Sequence, residues 1–170
     1  MIKYILIMLT FLDCNNLKNQ IKTNEKLNID DSNITILAFK PEYYWLFKNA
    51  KSTNLTNQEI QKIDKTLESL VLKHNNEQKK VFAIYLAKKT GGDLTLERLT
   101  INLSDYKRQY VAVLNSKGEK EVWVNILCND LSGKWRTEII DVSDGGKCYF
   151  NLKINLISNK YYDLMFNGEA

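Results

Sequence analysis

The chain has 170 residues, 24 basic and 20 acidic, for a formal charge of +4, and 44% of it is hydrophobic. That is enough for one core and too little for two ordinary domains. The positive excess is small and pairs such as Lys79-Lys80 and Lys88-Lys89 are scattered among acids, which excludes a phosphate-binding stripe and makes nucleic acid an unsuitable partner.

In chain order, Lys3 precedes a nine-residue apolar run, Tyr4 to Leu12. A lone positive charge ahead of a short apolar run is the pattern of an export signal, and the run falls short of the ~17 residues a membrane span requires. Residues 1–13 are therefore predicted to be a signal peptide. No small-residue cleavage site follows; Phe11-Leu12-Asp13 leads directly to Cys14, Asn15 and Asn16. This start resembles the lipobox of bacterial lipoproteins, particularly those of Bacteroidota, although that family commonly has Gly, Ala or Ser where Asp13 stands. The resemblance implies that Cys14 becomes the first mature residue and carries acyl chains, giving a lipid-anchored protein of the bacterial cell envelope. Simple secretion or a periplasmic location is the alternative. Residues 14–33 are polar and aperiodic and read as lipid anchor and flexible tether, leaving 34–170 as a single domain.

Ile34 to Phe39 is β-prone and ends at Lys40-Pro41, followed by the aromatic cluster Tyr43-Tyr44-Trp45-Leu46-Phe47. Thr56-Asn57-Gln58-Glu59 is a capping box, and Ile60, Ile63, Leu67, Leu70, Val71 and His74 recur at helical spacing, so a helix starts there. Asn75-Asn76 is its expected stop. Val81 to Ala87 is apolar throughout and fits either helix or strand. Tyr106–Leu114 and Glu121–Cys128 read as a hairpin about Asn115-Ser116-Lys117-Gly118. Trp135–Val142 reads as a further strand and Asp144-Gly145-Gly146 as a tight turn. Cys148, Phe150, Leu152, Ile154 and Leu156 alternate with polar residues, predicting a strand with one core face and one wet face. A last strand is expected over Tyr161–Phe166.

One helix followed by an antiparallel meander predicts an α+β fold, a main helix packed on a curved antiparallel sheet of about four to six strands. The arrangement resembles cystatin-like and NTF2-like domains. The stretches Tyr106-Lys107-Arg108-Gln109-Tyr110-Val111, Gly118 to Asn125, and Trp135 onward through Asp144-Gly145-Gly146-Lys147-Cys148-Tyr149-Phe150 and Lys153-Ile154-Asn155-Leu156 to Tyr161-Tyr162-Asp163-Leu164 and Asn167-Gly168-Glu169-Ala170 are similar to small exported proteins of Bacteroidota. That resemblance covers about half of the chain and implies no particular activity.

Candidate chemistry is sparse. The single histidine, His74, lies on the apolar stripe and reads as a packing residue or a favourable charge at a helix C-terminus. No nucleophile elbow accompanies it, one His with two remaining Cys does not make a zinc site, and no cofactor motif is present. No catalytic and no metal-binding residue is therefore assigned. Cys128 and Cys148 form a candidate disulfide or are both buried thiols, with the thiols favoured. Tyr43, Tyr44, Trp45, Trp123 and Tyr149 form a candidate binding patch, or else serve as core anchors.

The functional expectation is a membrane-anchored lipoprotein acting as a non-enzymatic binding or interaction module for a protein or small ligand. One alternative is an NTF2-like enzyme using Asp/Tyr acid–base chemistry through Asp105, Asp141 or Asp163. Another is an inhibitor or immunity-type protein, which differs from the first reading in its partner.

Overall fold

The computed structural model describes residues 32–88, 92–130 and 132–168. The expected signal peptide, Cys14 and the expected tether through residue 31 lie outside the described residues.

The main helix, α1 (Asn57–Lys88), starts where the capping box places it. The Thr56 N–H donates to Glu59 Oε2 at 2.8 Å and the Glu59 N–H donates to Thr56 Oγ1 at 3.2 Å, which satisfies two of the donors a helix N-terminus leaves unpaired. Ile60, Ile63, Leu67, Leu70 and Val71 are buried, as the stripe predicted. The helix does not stop at Asn75-Asn76. The Asn75 side chain donates to Ile101 O and accepts from Ile101 N–H, both at 2.8 Å, so its amide serves a neighbouring loop and leaves the helix backbone intact. Val81 to Ala87 therefore belongs to the helix, and Val81, Ile84 and Leu86 are exposed on it. A single turn, α2 (Leu96–Leu99), is capped by Thr95 Oγ1 accepting from Arg98 N–H.

Among the described residues the sheet has six strands, β1 (Ile34–Leu37), β2 (Lys51–Ser52), β3 (Lys107–Leu114), β4 (Lys120–Leu127), β5 (Tyr149–Asn155) and β6 (Lys160–Phe166). Its order is β1-β3-β4-β5-β6, with β2 also paired to β3, and it is open. Every pairing is antiparallel except β1 with β3. That pair is parallel because the chain between its strands contains α1, a crossover long enough to return in the same direction. The protein is thus α+β, with one main helix on a mixed sheet. The β3–β4 turn holds Gly118 at φ 78°, and Asn115 Oδ1 accepts from the N–H groups of Lys117 and Glu119.

One sheet face packs against α1: Tyr110, Val122, Val124, Ile126, Phe150, Leu152 and Ile154 meet the helix stripe in the larger core. The alternation expected of the 148–156 strand holds on β5, but over β3 and β4 the second face is dry. Val111, Val113 and Trp123 pack there under Leu46 and Phe47 of the 38–50 segment, with Ile139 alongside. The expected strand Trp135–Val142 is absent. This segment lies across that second face, turning at Lys134, whose carbonyl accepts from the Thr137 and Glu138 N–H groups. Its carbonyls at Trp135, Glu138 and Ile140 accept from the Gln109 and Asn125 amides, and its Ile140 N–H donates to Gln109. With side chains filling those positions, the segment has no need of a strand partner.

Candidate functional site

The second face carries a cleft of about 320 Å³. The register of the sheet sets its floor. Trp123 and Asn125 on β4 stand opposite Lys153 and Asn151 on β5, and Leu127 stands opposite Tyr149, so these side chains share one face. Trp123, Asn125, Asn151 and Tyr149 line the cleft, the 140–143 segment forms one side, and Met165 to Gly168 at the end of β6 form another. Trp45 completes it from the loop after Pro41. Its ring meets Trp123 edge to face, with centroids 5.9 Å apart, and 51% of its surface stays open to solvent.

Of the sequence-predicted patch, the structure brings together Trp45, Trp123 and Tyr149. Trp123 is both things the sequence allowed, since it is 4% exposed in the second core and also reaches the cleft. Tyr43 and Tyr44 lie elsewhere. Tyr43 packs against the second core with Lys40 5.6 Å over its ring. Tyr44 lines a separate depression with Phe39, Pro41 and Phe47.

The floor amides were not anticipated. Gln109 is fully buried and its four hydrogen bonds leave one orientation open to it. Nε2 donates to Trp135 O and Glu138 O at 2.5 and 2.6 Å, while Oε1 accepts from Asn125 Nδ2 at 2.9 Å and from Ile140 N–H at 3.0 Å. Asn125 Nδ2 also donates to Ile140 O at 2.7 Å. Trp123 Nε1 donates to Asn151 Oδ1 at 3.3 Å. A signal for these residues did exist: Gln109 and Asn125 are polar residues at core-phase positions of otherwise apolar strands. Such positions are occupied by polar groups when a network satisfies them.

The cleft side at 140–143 is held at both ends. Cys128 and Cys148 are joined as a disulfide, with Cα atoms 5.0 Å apart, and it closes the loop that contains this side. The favoured reading of two buried thiols is corrected: Cys128 is exposed just beyond β4 and Cys148 is half-buried in the short 3₁₀ turn Gly146–Cys148. Alternation fails at Cys128 because the core phase of β4 ends at Leu127. Asn167 Nδ2 donates to Val142 O and, at 3.1 Å, to Asp144 O. The glycine turn adopts positive φ at both Gly145 (91°) and Gly146 (55°), and a Cβ on Gly145 would fall 2.7 Å from the Tyr149 ring.

The candidate acid–base residues do not converge. Asp105 is exposed in the turn before β3 and accepts from Ser104 Oγ; Asp141 borders the cleft; Asp163 on β6 pairs with Lys153 at 3.0 Å. The tyrosines beside two of them hold their protons firmly. Burial, then the charge of Asp105, pushes the Tyr106 hydroxyl up, and burial, then the carboxylate of Glu121, pushes Tyr162 far above the usual phenol range. His74 stacks on Phe166, with ring centroids 5.0 Å apart, and its Nε2 lies 3.3 Å from Leu99 O, a packing role. The helix continues past it to Lys88, so it is not a C-terminal charge. Among the described residues no group of three or more His, Cys, Asp or Glu side chains could hold a metal ion, and no helix is long and apolar enough to cross a membrane.

Fold and site together define an α+β domain with an aromatic-lined cleft, amides in its floor, on the sheet face opposite the helix. Comparison with family models, with curated proteins and with solved structures returned no match.

Proposed function

We propose that the chain is a lipid-anchored, non-enzymatic binding module of a bacterial cell envelope, tethered through acylated Cys14 and residues 14–33, with the Trp45–Trp123–Tyr149 cleft as its binding surface. The observation that carries the binding half is the cleft, which aromatic rings and polar groups line together, the polar groups held in orientation by hydrogen bonds behind them. The anchoring half rests on the sequence at Lys3 to Asn16. The acid–base alternative asks for an Asp–Tyr pair in one pocket. Asp105, Asp141 and Asp163 stand on separate elements and the perturbed tyrosines are shifted toward retaining their protons, so the binding reading is the better supported.

Two experiments test the two halves. Cys14→Ser is expected to move the protein from the membrane to the soluble fraction, and unchanged membrane attachment refutes the anchor. The full chain, solubilised in a polyoxyethylene detergent and immobilised, is expected to retain an envelope component that the Trp45→Ala variant loses. Equal retention by both proteins refutes the cleft as the binding surface.

A further inference from the structure

Resting on the binding reading above, we propose that the cleft takes a neutral saccharide, with the facing amides of Asn125 and Asn151 reading a pair of adjacent hydroxyls and the aromatic side chains covering the C–H face of the ring. The case begins at Gln109. Its Nε2 is committed to two backbone carbonyls, so Oε1 is the acceptor that meets Asn125, and Asn125 must present Nδ2 to it. The second proton of that Nδ2 goes to Ile140 O. Asn125 Oδ1 is thereby left as an acceptor toward the cleft, and among the described residues no donor occupies it. The same logic runs on β5. The indole N–H of Trp123 can only donate, so it meets Oδ1 of Asn151 and leaves Nδ2 of Asn151 as a donor.

Asn125 and Asn151 are direct cross-strand partners, which sets their Cβ atoms about 4.5–5.5 Å apart. The cleft therefore offers one acceptor beside one donor, each locked by a bond behind it. Adjacent ring hydroxyls match this pair, because each can donate or accept: one donates to Asn125 Oδ1 while its neighbour accepts from Asn151 Nδ2. A sugar ring also has an apolar C–H face, whose positive edge suits the negative faces of Trp45 and Tyr149.

Charge and size narrow the class. Among the described residues lining the cleft the one charged side chain is Asp141, so phosphates, nucleotides and acidic sugars are repelled. A quaternary ammonium would use the aromatic rings and Asp141 and leave both amides unmatched. An extended peptide could satisfy the amides, but about 320 Å³ lies at the small end of ligand cavities and suits one or two rings better than a strand.

The test is intrinsic tryptophan fluorescence of the full chain in polyoxyethylene detergent, titrated separately with cellobiose, maltose, N,N′-diacetylchitobiose, choline chloride and tetraglycine. At least one disaccharide is expected to give a saturable change. Asn151→Asp keeps an acceptor for Trp123 but turns the donor into a second, negatively charged acceptor beside Asn125 Oδ1, so the donor–acceptor pair is lost, and it is expected to weaken that binding about tenfold, the worth of one good hydrogen bond. Trp45→Ala, at a half-exposed position, is expected to weaken it similarly. Saturation by choline or tetraglycine with none by the sugars overturns the saccharide assignment, as does sugar binding indifferent to both variants. If no sugar binds while envelope capture still depends on Trp45, the saccharide assignment falls and the cleft reading stands. If capture is also indifferent to Trp45, both fall.

Discussion

Replacing Gln109 by Met keeps the volume and linear shape of the side chain and removes all four of its hydrogen bonds. Two of those bonds are fully buried: Trp135 O loses this donor and one N–H of Asn125 Nδ2 loses its acceptor while the other keeps Ile140 O, and each buried donor or acceptor left unmet costs about 1–3 kcal/mol. The other two, to Glu138 O and from Ile140 N–H, are part-buried, so water can replace the lost partner at smaller cost. The expected loss is about 4 kcal/mol, a large part of the 5–15 kcal/mol that holds a typical domain together. For a domain of this size it corresponds to about a 10–15 °C fall in Tm. Urea and thermal unfolding followed by circular dichroism, with the disulfide intact, measure it. Gln109→Glu is the companion variant: it preserves Oε1 but sets a carboxylate against two carbonyls, so it should be at least as damaging. A Gln109→Met protein as stable as the parent would refute the claim that this network holds the 135–140 segment on the sheet.

Four further outcomes follow from local geometry. Thr56→Ala removes the capping acceptor and is expected to cost about 1 kcal/mol in urea unfolding. Burial alone would push the Glu59 carboxyl up, but hydrogen bonds from Lys120 and from the Thr56 N–H hold it below its ordinary value of 4.5. Its stabilising contribution is therefore present above pH 4.5 and lost as the pH falls further, and Glu59→Gln should flatten the decline of Tm between pH 5 and 3. Reducing the Cys128–Cys148 disulfide, which spans 20 residues, is expected to lower stability by about 3 kcal/mol, read as a drop in Tm with dithiothreitol that the double Cys→Ser variant no longer shows. Gly145→Ala forces a side chain onto positive φ and against the Tyr149 ring, so unfolding should come at least about 1 kcal/mol earlier, whereas Gly118→Ala, with open space around its Cβ, should cost less.

Local signals carried the elements whose stabilising partners lie nearby in sequence. The capping box at Thr56 fixed the start of α1, the glycine turns fixed the β3–β4 hairpin and the approach to β5, and alternation at Phe150, Leu152 and Ile154 identified the core face of β5. Features set by distant partners were hidden. Asn75 looks like a helix stop until Ile101 engages its amide from a separate loop. Trp135 to Val142 reads as a strand by composition, and only the Gln109 and Asn125 amides, supplied by β3 and β4, turn it into a cover for the sheet. The cleft was half visible. Its rings stand out in composition, whereas its floor depends on Asn125 and Asn151 being opposite one another, which is a matter of register.

The parallel pairing of β1 with β3 has a consequence for the order of assembly. As the chain is made from N- to C-terminus, Ile34 to Leu37 emerge before their ladder partners Arg108 to Val111, which come only after the whole of α1. Hairpins such as β3–β4 and β5–β6 close short loops and can form as soon as they appear, while β1 must wait unpaired across the longest loop in the sheet. The Arg136 guanidinium that bonds to the carbonyls of Ser32 and Ile34 arrives later still. β1 is thus made well before it can dock, and until it does the β3 edge that receives it stands open to any other extended segment that reaches it first.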